Sequence, residues 1–154
     1  MYHIAIVEDE VDFALQLQEY LKQYEEENNI RFKVSVFEDG EDILKDYQPL
    51  YDLILLDIEM PKVNGMKAAE EIRKNDADVT LMFITNMANY AIRGYEVGAL
   101  DFVMKPINYY IFSMKLLRAL KRTKQKAKQE ILLTLTDGVK KLNVQQIYYV
   151  ERFA

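Results

Sequence analysis

Short apolar runs alternate with stretches of helical period from residue 2 to about residue 120. Tyr2-His3-Ile4-Ala5-Ile6-Val7 is rich in strand formers and stops at Glu8-Asp9, whereas Val11, Ala14, Leu17 and Leu21 recur at the spacing of one helix face. Phe32–Phe37 alternates apolar and polar residues, as a half-exposed strand near a sheet edge does, and Gly40 to Tyr47 predicts a short helix. Residues 52–57 are almost uniformly apolar, which fits a strand covered on both faces. The alternation then continues: helix from Gly65 to Lys74, strand from Val79 to Ile84, helix from Ala88 to Glu96 broken by Gly98, and a fifth strand from Leu100 to Met104. Pro106 stands where a new helix can begin, and Tyr90, Ile92, Tyr95 and Ile111 are expected in the core.

Five strand-then-helix units predict an α/β fold, an open parallel sheet with helices on both faces. Ligands of such sheets bind beyond the carboxyl ends of the strands, at the switch point. The last helix carries an apolar stripe of Ile107, Tyr110, Ile111, Met114, Leu117 and Leu120, then the polar run Lys121 to Lys128, read as a solvated helix end or linker. Beyond residue 129 the pattern changes: Ile131–Thr136, Asp137-Gly138 and Val139–Val144 predict a β-hairpin, and Ile147–Val150 a third strand.

Composition narrows the chemistry. The 154 residues contain no Cys and one His, which excludes disulfides, thiolate catalysis and a histidine metal cluster. His3 is expected to be a strand residue without catalytic duty. No apolar stretch approaches the roughly 20 residues of a membrane span, and the first run meets acids too soon for a signal peptide, so a cytoplasmic protein without a membrane partner is expected. Residues 1–106 hold 22 acids and 10 bases, whereas residues 107–154 hold 3 acids and 10 bases. An acidic body with a basic end suits cations at one place and polyanions at another.

The polar residues that end the strands supply the candidate site. Glu8-Asp9, Asp57, Thr85 and Lys105-Pro106 would meet at one sheet edge, giving three carboxylates, a hydroxyl and an ammonium. Oxygen-only donors suit a hard divalent cation, and the ammonium suits a phosphoryl group. Taken singly, these acids read as solvated loop residues, Thr85 as a helix cap and Phe102 as a core aromatic. Glu10 and Asp12 read as acids favoured at a helix start.

Glu8-Asp9, Asp57-Ile58-Glu59-Met60-Pro61 with Gly65, Thr85, and Phe102-Val103-Met104-Lys105-Pro106 together resemble the receiver domain of bacterial response regulators. The stretch from Ile84 to Phe102 resembles the subgroup carrying LytTR-type (LytR/AlgR-type) DNA-binding domains, and Ile131 to Glu151 resembles the opening strands of that output domain. The resemblance implies a flavodoxin-like (βα)5 receiver at residues 1–125 with sheet order 2-1-3-4-5. Residues 126–154 would then be a linker and the first strands of the output domain, a short β-hairpin fragment. It implies that Asp57 accepts a phosphoryl group from a sensor histidine kinase, and that Glu8, Asp9, Asp57 and the Glu59 carbonyl hold Mg²⁺. Lys105, after a cis peptide, and Thr85 would contact the phosphoryl oxygens, and Phe102 would be the switch aromatic. Glu59 and Met87 occupy positions that tune phosphoryl lifetime in the family. Glu8 stands where Asp is frequent, and Phe102 where Tyr is common.

The resemblance further implies a phosphoacceptor rather than a turnover enzyme, and transcriptional control through a complete output domain. A homodimer through the fourth helix, fifth strand and fifth helix is a further expectation. With 25 residues from Glu130 to Ala154, a truncated output domain without specific DNA binding is expected. The competing reading is a Mg²⁺-dependent phosphohydrolase with an Asp nucleophile, although its usual second Asp is Glu59 here. A flavin binder would need a Ser/Thr/Gly-rich phosphate loop after the first strand, which the sequence lacks.

Overall fold

The computed structural model describes residues 1–137. Five strands, β1 (Tyr2–Val7), β2 (Phe32–Phe37), β3 (Leu53–Leu56), β4 (Thr80–Thr85) and β5 (Asp101–Met104), form one parallel sheet in the order β2-β1-β3-β4-β5. Five helices intervene or follow: α1 (Val11–Asn28), α2 (Gly40–Leu44), α3 (Gly65–Asn75), α4 (Ala91–Glu96) and α5 (Tyr109–Asp137). This is the doubly wound (βα)5 receiver-type architecture and the strand order that the resemblance implied.

Burial explains why the strands read as they do. Every residue of β3 and β4 is buried, so each strand face needs apolar side chains and strict alternation disappears. One face packs Ile4, Ile6, Leu53, Leu55, Met82 and Ile84 against Leu17 and Leu21 of α1 and Phe112 and Leu116 of α5. The other packs Val7, Ile54, Leu56, Leu81 and Phe83 against Ile43 of α2 and Met66, Ala69 and Ile72 of α3. At ~1.5–3 kcal/mol per fully buried large aliphatic or aromatic side chain, these two layers supply most of the drive to fold. β2, at the sheet edge, has no fully buried residue, as its alternating sequence predicted.

Three expectations change. Ile131–Thr136 is not a strand, because α5 runs unbroken to Asp137. The Lys, Arg, Gln, Ala and Glu residues before it are strong helix formers, so the costly nucleus already exists and each added residue extends the helix cheaply. The Thr134 and Thr136 hydroxyls donate back to the Glu130 and Leu132 carbonyls, which suits a helix and not a ladder. The C-terminal β-hairpin therefore loses its first strand, and the expected strands at 139–144 and 147–150 lie outside the described residues. Ile92 and Tyr95 are exposed rather than core, because α4 is a six-residue helix that turns its inner side, through Gly94, to the sheet, and Ile111 is exposed because α5 turns Phe112, Leu116 and Ala119 inward instead. Val11 is likewise exposed, and Tyr24 takes its place in the buried stripe of Ala14, Leu17 and Leu21.

Candidate functional site

The strand order sets the site. After β1 the chain builds β2 on one side and then crosses to β3 on the other, so the loops leaving β1 and β3 diverge and open a crevice at their carboxyl ends. Backbone bonds fix the residues that step off each strand: Glu8 N–H donates to Phe37 O at 2.9 Å, Asp57 N–H to Val7 O at 3.0 Å, and Lys105 N–H to Thr85 O at 2.9 Å. Thr85 pairs with Met104 in the β4–β5 register, which puts Lys105 next along that edge, before a cis Lys105–Pro106 peptide.

Three of the expected ligands meet. One carboxylate oxygen each from Glu8, Asp9 and Asp57 lies within 4.8 Å of the other two. Glu8 and Asp57 are buried and Asp9 is exposed, so the cluster has a dry floor and a wet mouth. The Lys105 ammonium sits 2.8 Å from Glu8 Oε1 and 3.0 Å from Asp57 Oδ2, and its side chain is 6% exposed. The other Asp57 oxygen, Oδ1, accepts the Ile58 N–H at 2.7 Å. Burial pushes the Glu8 carboxyl up to about 7; Lys105 opposes that rise and the Asp57 charge adds to it. Burial works to lower the Lys105 ammonium, but Glu8 and Asp57 outweigh it and hold the group above its ordinary value. Three carboxylates against one ammonium leave the cluster short of positive charge, in oxygen donors alone. A hard divalent cation fits that deficit.

Of the remaining predicted residues, Thr85, Phe102 and His3 have partners of their own. Thr85 is fully buried at the end of β4, and its hydroxyl accepts the Met87 N–H at 3.2 Å. Phe102 lies half-buried on β5 with its ring 5.7 Å from Phe83, against the bare Cα of Gly94. Glu59 is exposed two residues past Asp57, and its side chain is not one of the three clustered carboxylates. His3 is a strand residue whose Nε2 is 2.9 Å from the Ser35 hydroxyl.

Three residues near the site escaped the sequence reading. Glu10, expected only as a helix-start acid, also places Oε1 3.4 Å from the Lys105 ammonium. Phe13 lays its ring face 4.3 Å from the same nitrogen. Asp39 is buried, caps α2 through the Glu41 N–H, and accepts the Lys62 and Val63 N–H groups at 2.9 and 2.8 Å. It thereby ties down the loop between Asp57 and α3. Its one sequence signal is an Asp just before a helix start, too common to single it out.

Burial alone would raise the Asp39 carboxyl, but the Glu41, Lys62 and Val63 amides and the Lys62 charge outweigh it and hold the group below its usual 3.8. A depressed carboxyl contributes stability that is complete above the unfolded value and lost as pH falls through the folded one. Asp39→Ala is therefore expected to cost roughly 2–3 kcal/mol at pH 7, by leaving three amides unpaired. Urea unfolding of both proteins should show that gap closing once the pH falls below about 3.8 and then through the folded value. A gap that stayed constant with pH would contradict the assignment.

Known proteins resemble this chain along most of its length. A family model described as the response regulator receiver domain matches residues 4–112. The sensory transduction protein LytT of Oceanobacillus iheyensis is 28% identical over 97% of this chain and 63% of that protein. The aerobic respiration control protein ArcA of Escherichia coli K12 is 36% identical over 79% of this chain and 49% of ArcA, so the chain spans about half to two thirds of these relatives' lengths. The crystal structure of the response regulator TrrA from Thermotoga maritima superposes with a TM-score of 0.64 at 31% identity, covering 77% of this chain and 99% of that one. With the strand order, the acidic cluster and the strand-end lysine all in place, the chain belongs to the response regulator receiver domain family.

Proposed function

We propose that Asp57 is the phosphoryl acceptor of a bacterial two-component system, charged by a phosphohistidine on a sensor kinase in the cytoplasm. The observation that carries this reading is the pairing of Asp57 with Lys105 at 3.0 Å, beside Glu8 and Asp9, at the switch point of a receiver-family sheet. A carboxylate attacking an anionic phosphoryl group must first have the repulsion between them offset. The Lys105 ammonium does part of this at the acceptor oxygen itself. Glu8, Asp9 and Asp57, with the Glu59 carbonyl, would hold the Mg²⁺ ion; TrrA's structure is a complex with Mg²⁺–BeF. When bound, that ion would supply the hard double charge that neutralises the phosphoryl oxygens.

In the transfer an Asp57 oxygen forms a bond to phosphorus while the phosphorus–nitrogen bond of the phosphohistidine breaks, the electron pair staying on that nitrogen and the ring, protonated on its other nitrogen, leaving as neutral imidazole. Asp57 is buried, which limits the water around its carboxylate. Thr85, at the end of β4, would donate its O–H to a phosphoryl oxygen, a proton left free because the bond from the Met87 N–H is accepted by a lone pair of the same oxygen. Phe102 follows it, with Gly94 leaving room for the ring to move. The affected surface is that of α4, β5 and α5, where Ile92, Tyr95, Met104 and Tyr110 are exposed and available to a homodimer. The chain is a phosphoacceptor and not a turnover enzyme. The receiver spans residues 1–125, residues 126–154 lead into a LytTR-type output domain, and DNA is bound through the complete output domain.

Incubation with acetyl phosphate and Mg²⁺, followed by intact mass measurement, is expected to show one added phosphoryl group per chain. The gain should disappear with excess chelator. A chain that stays unmodified at millimolar donor and Mg²⁺ would overturn the reading, whereas many turnovers of phosphate release per chain would favour a phosphohydrolase.

A further inference from the structure

We propose that Phe13 is a positioning residue for Lys105, its ring face holding the ammonium over Asp57 by a cation–π contact. The inference rests on the role given to Lys105 above. Lys105 Nζ lies 4.3 Å from the centroid of the Phe13 ring, well within the roughly 6 Å at which the negative ring face attracts a cation. The remaining neighbours of that nitrogen are Glu8 at 2.8 Å, Asp57 at 3.0 Å and Glu10 at 3.4 Å.

These neighbours are not equivalent. Glu8 and Asp57 draw the ammonium inward, but their oxygens are also the donors that a divalent cation and a phosphoryl group would use. Glu10 is mostly exposed, so it draws the flexible lysine toward solvent, and its attraction is screened. The Phe13 ring is the one contact of the four with no oxygen to give to a cation. It therefore remains when the carboxylates change partners. Its position is also fixed, because Phe13 stands in the first turn of the 18-residue α1 and packs on the core cluster that holds Leu17 and Phe112. A ring anchored to a long helix is a better fence for a four-carbon side chain than another flexible side chain.

Packing alone would give Phe13 a reason to be aromatic or aliphatic, and the two accounts separate by experiment. Replacing Phe13 with mono-, di- and trifluorinated phenylalanines drains the ring face of negative charge while hardly changing its volume. Reductive methylation with peptide mass measurement then reads how freely Lys105 leaves its seat, with the exposed Lys22 as internal reference. Labelling at Lys105 is expected to rise stepwise with fluorine number, by about five-fold at the trifluorinated ring and in Phe13→Leu. The rate of phosphoryl gain from acetyl phosphate should fall in the same order. Labelling that is flat across the fluorinated series, at a normal rate of phosphoryl gain, overturns the proposal and leaves the acceptor reading standing. A stepwise labelling response on a chain that takes no phosphoryl group supports the Phe13 contact and overturns the acceptor reading.

Discussion

Asp57→Asn is expected to abolish phosphoryl gain while leaving the fold intact. The amide is nearly the size of the carboxylate, and its oxygen can still accept the Ile58 N–H that Asp57 Oδ1 takes at 2.7 Å. What it loses is the charged oxygen facing Lys105 at 3.0 Å, the partner of the ammonium and, in the proposed function, part of the carboxylate that attacks phosphorus. An amide oxygen is a far poorer nucleophile toward phosphorus, and other carboxylates are not placed alike. Glu8 is already bound to Lys105 and Asp9 lies at the exposed mouth. Intact mass after acetyl phosphate and Mg²⁺ should therefore show no phosphoryl group on the variant, a loss of at least two orders of magnitude in rate. Thermal unfolding should change little, and in the metal-free protein can improve, because one of three crowded carboxylates has gone. Phosphoryl gain at an undiminished rate in this variant would place the acceptor elsewhere.

Gly65→Ala is expected to damage the same site from the other side of its loop. A Cβ built on Gly65 would stand 1.8 Å from the Asp57 carbonyl oxygen and 2.7 Å from its carbon, and both are backbone atoms. No rotamer change can relieve an overlap with backbone, so either the start of α3 or the Asp57 loop must move. The Gly65 N–H donates to Ile58 O at 2.8 Å and would be strained with it. Alanine offers about 1 kcal/mol of helix propensity over glycine, whereas forced overpacking of this kind costs ~3 kcal/mol or more, so the clash wins. Urea unfolding should report a net loss of roughly 2 kcal/mol, and phosphoryl gain should fall at least ten-fold through displacement of Asp57 by as little as an ångström. A variant of undiminished stability and activity would show that the loop yields freely, and that the close approach at Gly65 is not what sets Asp57.

Much of this was legible from the chain. The strands were readable because parallel strands covered on both faces must be apolar throughout, as β3 and β4 are, and because acids and a lysine cannot continue such a run. Glu8, Asp57 and Lys105 therefore marked the strand ends as well as the site. Asp39 was not readable. Its importance comes from the amides of Lys62 and Val63, more than twenty residues away in sequence. Phe13 looked like any apolar residue on an amphipathic helix, since the lysine it covers lies on a different element. The end of α5 was misread because Ile131–Thr136 suits either periodicity, and the helix already formed before it decided the outcome.

The sequence by itself determined the number, type and order of the elements from β1 to the start of α5 and which polar residues stop each strand. Those properties follow from local periodicity and from the cost of burying charge. The tertiary structure decided which side of β1 each later strand takes, and hence that Glu8, Asp9, Asp57 and Lys105 share one crevice. It also decided that an aromatic ring and a buried aspartate hold that crevice in shape. Contacts between residues distant in sequence leave no local pattern; they exist only once the sheet has fixed the distances.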